Sequence, residues 1–483
     1  MTTHSTGLLL GLLLCAAAAP CAEPGNPAQF RAGAAASNIT PPLGKDIIGG
    51  FHPFPSKQIH DQLWARCLVL DDGRTRIGLV VCDILGLAQP LCAEARRLAE
   101  EQSGMPQANL LISATHTHSA SSALGTNRFA AKPDLDEYQR FVAGRIADSV
   151  RCAIANLAPA QVGWTTAQEP RHVFNRRWFM KPGSIPPGPL GTQDQVKMNP
   201  PRRSPDLVKP AGPTDPEICV LAVRSPEGRP IALMANYSLH YVGGVGAGDI
   251  SADYYGMFCD RIQQLLGADR LDPPFVAVLS NGTSGNINNI DFTKPSEKLP
   301  PYARMREVAN DVAQDVHSAY GTIQWHDSAP LAAAIAEPDI AFRHPTPEDI
   351  GRAKAILARR DPASKKPAPL EEIYADRTLK VAESPDRAPI RLQALRVGDL
   401  AIGTIPCEVF VETGLELKRK SPFKPTFVVS LAQGYFGYLP TPEHHRLGGY
   451  ETWLGTNRLE IEAEPKIATA LLGLFARLKD DVR

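Results

Sequence analysis

The chain has 483 residues, 43% of them apolar and 21% charged, and its 51 basic side chains balance 51 acidic ones. That is the composition of a globular protein with one large domain or two to three ordinary ones. Zero formal charge and the lack of a basic tract argue against a nucleic-acid partner and against electrostatic attachment to a membrane.

The first 22 residues read as a secretory signal peptide. An apolar core at 8–14 is followed by Ala16, Ala17, Ala18 and Ala19, with cleavage expected near Ala22. The core is too short to span a bilayer, and no other stretch is long and apolar enough to be a transmembrane segment. Cys21 lies in a poor context for a lipoprotein. The expected location is therefore secreted or periplasmic, with residues 23–483 forming a single domain. Seven cysteines remain after cleavage, scattered and without a Cys-x-x-Cys pair, which suggests buried thiols rather than a disulfide framework or zinc-thiolate ligands.

In chain order, the apolar patterns predict a strand at 30–39, then a hairpin of 63–70 and 77–84 turning at Asp71, Asp72 and Gly73. A helix at 90–102 precedes a buried strand, Leu110, Leu111 and Ile112, which opens into the polar run Ser113 to Ser119. A long helix at 134–157 carries Phe141, Val142, Ile146, Val150 and Ile154 on one face. A strand at 162–166 follows. The 44 prolines of the chain lie mostly in connecting segments and imply long ordered loops. The longest, 183–213, has no helix or strand pattern and is expected to lie over or beside a cleft mouth. Beyond it come a hairpin of 218–223 and 231–237, a helix at 253–266 and a strand at 275–279. Helices at 301–320 and 347–359, a hairpin of 390–397 and 400–405, a helix at 409–419, a strand at 427–431 and a last helix at 460–478 complete the chain. The pattern predicts an α/β (α+β) fold with a mixed sheet core flanked by helices. No internal repeat and no compositional break is visible.

Chemistry concentrates at strand ends. His116 and His118 fall on the same side of an extended chain, about 7 Å apart, so they can share a metal or act as one ligand and one acid/base. Polar loop histidines without function have the same pattern. Three other strands end near a residue able to bind metal: His240, Glu408 and Tyr438. Sites in such sheets gather at the carboxyl ends of strands. Two histidines, a glutamate and a tyrosine would form a nitrogen/oxygen set suited to Zn2+.

At these positions the sequence resembles the neutral/alkaline non-lysosomal ceramidases, in their N-terminal catalytic domain. The motifs are Thr115-His116-Thr117-His118-Ser119, Asn175-Arg176, Gly285-Asn286-Ile287-Asn288, Pro406-Cys407-Glu408-Val409 and Tyr438-Leu439-Pro440-Thr441-Pro442-Glu443. The resemblance implies a zinc-dependent amidase that cleaves the N-acyl bond of ceramide or a related small-molecule or lipid substrate. Transient contact with a membrane surface is compatible with it. One zinc would be held by His116, His240, Glu408 and Tyr438. His118 would stand near the scissile amide, Arg176 would touch substrate, and Tyr450 would lie near the reacting carbonyl. Asn288 replaces the family's serine and would donate a hydrogen bond rather than attack. The C-terminal immunoglobulin-like domain of larger members is not expected here, and the segment 183–213 lacks a close counterpart in the family. A rival reading is an exported binding protein that keeps the pocket but not the reaction. Another is a zinc hydrolase acting on a non-lipid amide or ester.

Overall fold

The computed structural model describes residues 1–2, 29–125, 134–361 and 366–480, so the expected signal peptide lies outside the described residues, apart from its first two. Among the described residues, three larger sheets share one topology. In the first, Arg31–Asn38 pairs antiparallel with Trp64–Asp71. That strand pairs antiparallel with Arg76–Cys82, which pairs parallel with Leu110–Ala114. The second repeats this order with Gln161–Gln168, Glu217–Arg224, Pro230–Tyr237 and Val276–Asn281. The third repeats it with Leu331–Ala336, Leu392–Val397, Leu400–Ile405 and Thr426–Ser430.

In each unit a helix makes the parallel crossover: Gln89–Ser103, Asp253–Leu265 and Val411–Lys420. Parallel neighbours require such a connection, because a tight turn can only reverse the chain. A second helix follows each fourth strand and packs against the crossover helix: Glu137–Ala155, Ala303–Tyr320 and Ala463–Asp480. The sequence shows no repeat because the topology is specified by where apolar residues alternate, which many different residues satisfy.

Strand alternation gives each sheet two apolar faces. The inner faces meet in one shared core, to which the first sheet sends Leu68 and Leu70, the second Leu221, Met234 and Val278, and the third Leu395, Ile402 and Phe427. The outer faces are covered by the helix pairs, through Val142 and Ile146, through Phe258 and Val312, and through Leu417, Leu471 and Phe475. Burying each such side chain contributes about 1.5–3 kcal/mol.

Strand direction places the site. The first strand of each unit runs antiparallel to the second, and the third does so too, while the fourth runs parallel to the third. First, third and fourth strands of a unit therefore all end on the same face. The three fourth strands, Leu110–Ala114, Val276–Asn281 and Thr426–Ser430, also touch one another. Loops that leave these ends are brought over a common point.

Several expectations need correction. The segment 183–213 contains the strands Val196–Met198 and Leu207–Pro210, both paired with Arg177–Met180. Their partner lies outside the segment, so no local pattern reveals them. Phe141 is 42% exposed, because it falls one residue off the stripe that buries Val142, Ile146 and Val150. The strand Leu331–Ala336 and the helix Leu370–Val381 were not expected; the first is alanine-rich and half-buried, which weakens the alternation signal. All seven cysteines after Ala22 are free and six are buried, as expected; Cys152 departs from the expectation and is exposed.

Phe427→Ala tests the shared core. Removing a fully buried ring of that core should cost about 3–5 kcal/mol in chemical denaturation, well above the effect of trimming the exposed Phe141.

Candidate metal centre and its cavity

A cavity of about 250 Å³ opens where the strand ends meet. Nearly every stretch of its wall comes from a loop after a first, third or fourth strand. The first unit supplies Phe51, Leu85, His116 and His118; the second supplies Arg176, Met198, Asn199, His240 and Tyr241; the third supplies Arg377, Glu408, Tyr435, Tyr438 and Tyr450. Leu85, His240 and Glu408 are equivalent positions, each three residues beyond the third strand of its unit.

His116 adopts φ 72°, unusual for a residue with a Cβ. Its backbone N–H donates to Ile84 O at 3.0 Å, and its Nδ1 lies 2.7 Å from Leu85 O. His240 Nδ1 lies 3.0 Å from Ser284 O. A carbonyl only accepts, so in both rings Nδ1 carries the proton and Nε2 presents a lone pair inward. His116 Nε2 lies 3.2 Å from Glu408 Oε2 and 3.1 Å from His118 Nε2, and His240 Nε2 lies 3.7 Å from Glu408 Oε2. The donor atoms of His116, His118 and His240 lie within 4.8 Å of one another. His240 Nε2 and Glu408 Oε2 are buried without a hydrogen-bond partner. Lone pairs crowded together at buried atoms are costly unless a cation joins them, so the donor set fits a metal ion.

Electrostatics agree. Burial, followed by neighbouring groups including His116, holds His118 and His240 well below the usual histidine range, so both are neutral at pH 7. Burial opposes the Glu408 charge, yet the adjacent histidines and the Tyr438 hydroxyl bring its carboxyl below the ordinary range. Neutral imidazole and ionised carboxylate are the forms that ligate metal.

The other expected residues divide. Tyr438 and Tyr450 line the cavity. Burial raises both phenols, so each stays protonated. Arg176 lines it too, donating from Nη2 to the Tyr438 hydroxyl at 3.0 Å and from Nε to Glu451 at 3.0 Å. Glu451 also accepts from Arg177 at 2.6 Å. Asn288 is set back from the wall: its amide donates to Asn199 Oδ1 at 2.8 Å, and Asn199 is the residue that reaches the cavity. His118 stacks on Tyr241 at 3.7 Å. Its position beside His116 serves direct ligation and proton transfer equally well.

Two features were absent from the sequence reading. Tyr435 donates to Glu408 Oε1 at 2.7 Å and so orients the carboxylate; its sole sequence signal is its place in the Gly434–Gly437 loop after a strand. The segment 183–213 walls a second, apolar groove of about 240 Å³ with Ile185, Pro186 and Pro187, and this groove shares Phe51, Met198 and Tyr450 with the cavity. A further cluster, Glu169, His172 and Asp311, also has ligand spacing, but Arg171 bridges its two carboxylates and supplies the positive charge.

Imidazoles and a carboxylate converging beyond the ends of parallel strands define an α/β protein with a candidate nitrogen/oxygen metal site. Its fold is that of the neutral ceramidases, as the sequence resemblance implies. Neutral ceramidase from Pseudomonas aeruginosa superposes with TM-score 0.69 and 16% identity, covering 94% of this chain and 75% of that one. A ceramidase complexed with C2 superposes with TM-score 0.70 and 16% identity, covering 94% and 76%. No family profile matches the sequence.

Tyr435→Phe should keep the fold and weaken metal affinity about 10-fold or more, since it removes the hydrogen bond that orients a ligand. Competition with a chromogenic chelator measures this.

Proposed function

We propose that the chain is an exported zinc-dependent hydrolase that cleaves the N-acyl amide bond of ceramide or a related N-acyl compound. The observation that carries this reading is the convergence of His116 Nε2, His240 Nε2 and Glu408 Oε2 in a cavity of the neutral ceramidase fold. Export is inferred from the apolar run and alanines before Ala22.

His116, His240 and Glu408 would hold the zinc, with Tyr438 beside Glu408 as the fourth candidate ligand. The bound ion supplies a Lewis acid and activates water at neutral pH. The protein's own groups do the rest. Arg176, fixed by Glu451, and Tyr450 line the cavity and would offer donors to charge developing on the carbonyl oxygen. Neutral His118 can take a proton and pass it to the leaving amine. Asn199, held by Asn288, offers its side chain to the substrate. The groove walled by 183–213 takes the acyl chain, and its apolar lining excludes water from that half.

A covalent acyl-enzyme has no support. Asn288 cannot act as a nucleophile, because its amide lone pair is delocalised. Ser284 is buried, donates to Asn281 Oδ1 at 2.7 Å and does not line the cavity.

Metal analysis and hydrolysis of fluorogenic N-acyl substrates on one preparation test the reading. Wild type should bind one zinc per chain and lose all turnover on chelation, and His116→Ala and His240→Ala should lose the metal. Asn288→Ala should be slowed by about 100-fold or less, because it disturbs a donor indirectly. Turnover that survives complete metal removal would overturn the mechanism. Replacing Ile185, Pro186 and Pro187 with glycine and serine should shift acyl-chain preference while leaving metal content unchanged.

A further inference from the structure

Several charges around the cavity are matched within the protein. Arg176 and Arg177 share the carboxylate of Glu451. Glu408 faces the histidines and accepts from Tyr435. Arg377 lines the same cavity and forms no ion pair among the described residues. It makes a long polar contact, 3.5 Å, to the Thr456 hydroxyl.

Arg377 is nevertheless held in place. Its guanidinium lies 5.2 Å from the centre of the Phe51 ring and 5.0 Å from that of Tyr374. Tyr374 is buried, and its hydroxyl hydrogen-bonds Thr456. Gly455 has φ 88°, and a Cβ there would lie 3.0 Å from Arg377 Cβ, so the loop is pared down to let this side chain approach. Aromatic faces fix the plane of a guanidinium and leave most of its five N–H groups for another acceptor. A planar fork with free donors matches a carboxylate. A ceramide offers hydroxyls there, and hydroxyls leave the cation's charge unmatched.

We propose that the substrate is an N-acyl amino acid, and that Arg377 binds the carboxylate of its amine half. This rests on the amidase reading above. The assignment to the amine half follows from the cavity's shape. The apolar groove leaves by way of Phe51, Met198 and Tyr450 and suits the acyl chain. Arg377 lines the cavity and not the groove, so it meets the half that stays beside the metal centre. In the reaction the amide C–N bond breaks, hydroxide from water joins the acyl carbon, and the nitrogen takes the proton. The products are a fatty acid and a free amino acid.

The test compares N-dodecanoylglycine with N-dodecanoylglycinamide on zinc-loaded protein. These share the acyl chain and the scissile bond and differ in the one charge. The expected result is a KM about 10-fold or more lower for the carboxylate. Arg377→Ala should collapse the ratio of kcat/KM between the two toward one, and Arg377→Lys should restore part of it. Thermal melting of both variants checks that they fold. Equal KM values in wild type, or a ratio that Arg377→Ala leaves intact, would overturn the proposal. If neither compound is hydrolysed, the amidase reading fails, and calorimetric binding of the same pair decides the recognition question alone. A carboxylate preference that Arg377→Ala removes supports it, and the lack of any preference refutes it.

Discussion

Two hydrogen bonds between imidazole and backbone carbonyl set the chemistry of the centre. Leu85 O and Ser284 O each hold a histidine at Nδ1, which fixes the tautomer and turns Nε2 toward the cavity. Each carbonyl belongs to the loop that leaves the strand paired in parallel with the one preceding the histidine. The sheet's own parallel pairing therefore orients the donors, and the unusual backbone of His116 is held by the same neighbour through Ile84 O. The preorganisation is built into hydrogen-bonded backbone rather than into mobile side chains, as a precise site requires.

The threefold arrangement explains why residues so far apart in sequence meet. Each unit delivers three chain ends to one face, and the touching fourth strands bring the three faces together. Arg176 and Arg377 come from the loops between first and second strands in two different units. Glu451 lies in the loop that follows a fourth strand. Its carboxylate joins Arg176 to Arg177 with all three side chains nearly or fully buried. Such a group is costly to desolvate and strongly coupled, so it ties the second unit to the third directly behind the cavity.

Much of this was legible in the sequence. Buried parallel strands read as apolar runs, and the polar residues at their ends stand out by contrast; His116 and His118 are the clearest case. His240, Glu408 and Tyr438 are weaker signals individually, and the ceramidase resemblance selected them. Residues whose role depends on tertiary approach were not legible. Tyr435 is one aromatic in a glycine-flanked loop until Glu408 is placed beside it. Arg377 lies on a helix whose exposed charges hide its one inward cation. The strands within 183–213 pair with a segment outside it, so no local periodicity marks them. Asn288 shows the opposite limit: its motif was recognised, but only the fold shows that Asn199 stands between it and the cavity.

Leu85 occupies in the first unit the position that His240 and Glu408 occupy in the other two. A symmetric scaffold thus offers three equivalent sockets, of which two hold donors and one an apolar side chain. The apolar socket, filled by Leu85, contributes no donor atom to the candidate centre. Coordination number in such a scaffold is a property of single residues rather than of the chain's path. A ligand can be gained or lost by one codon change without rebuilding a loop, which gives this architecture a short evolutionary route between a closed structural site and an open catalytic one.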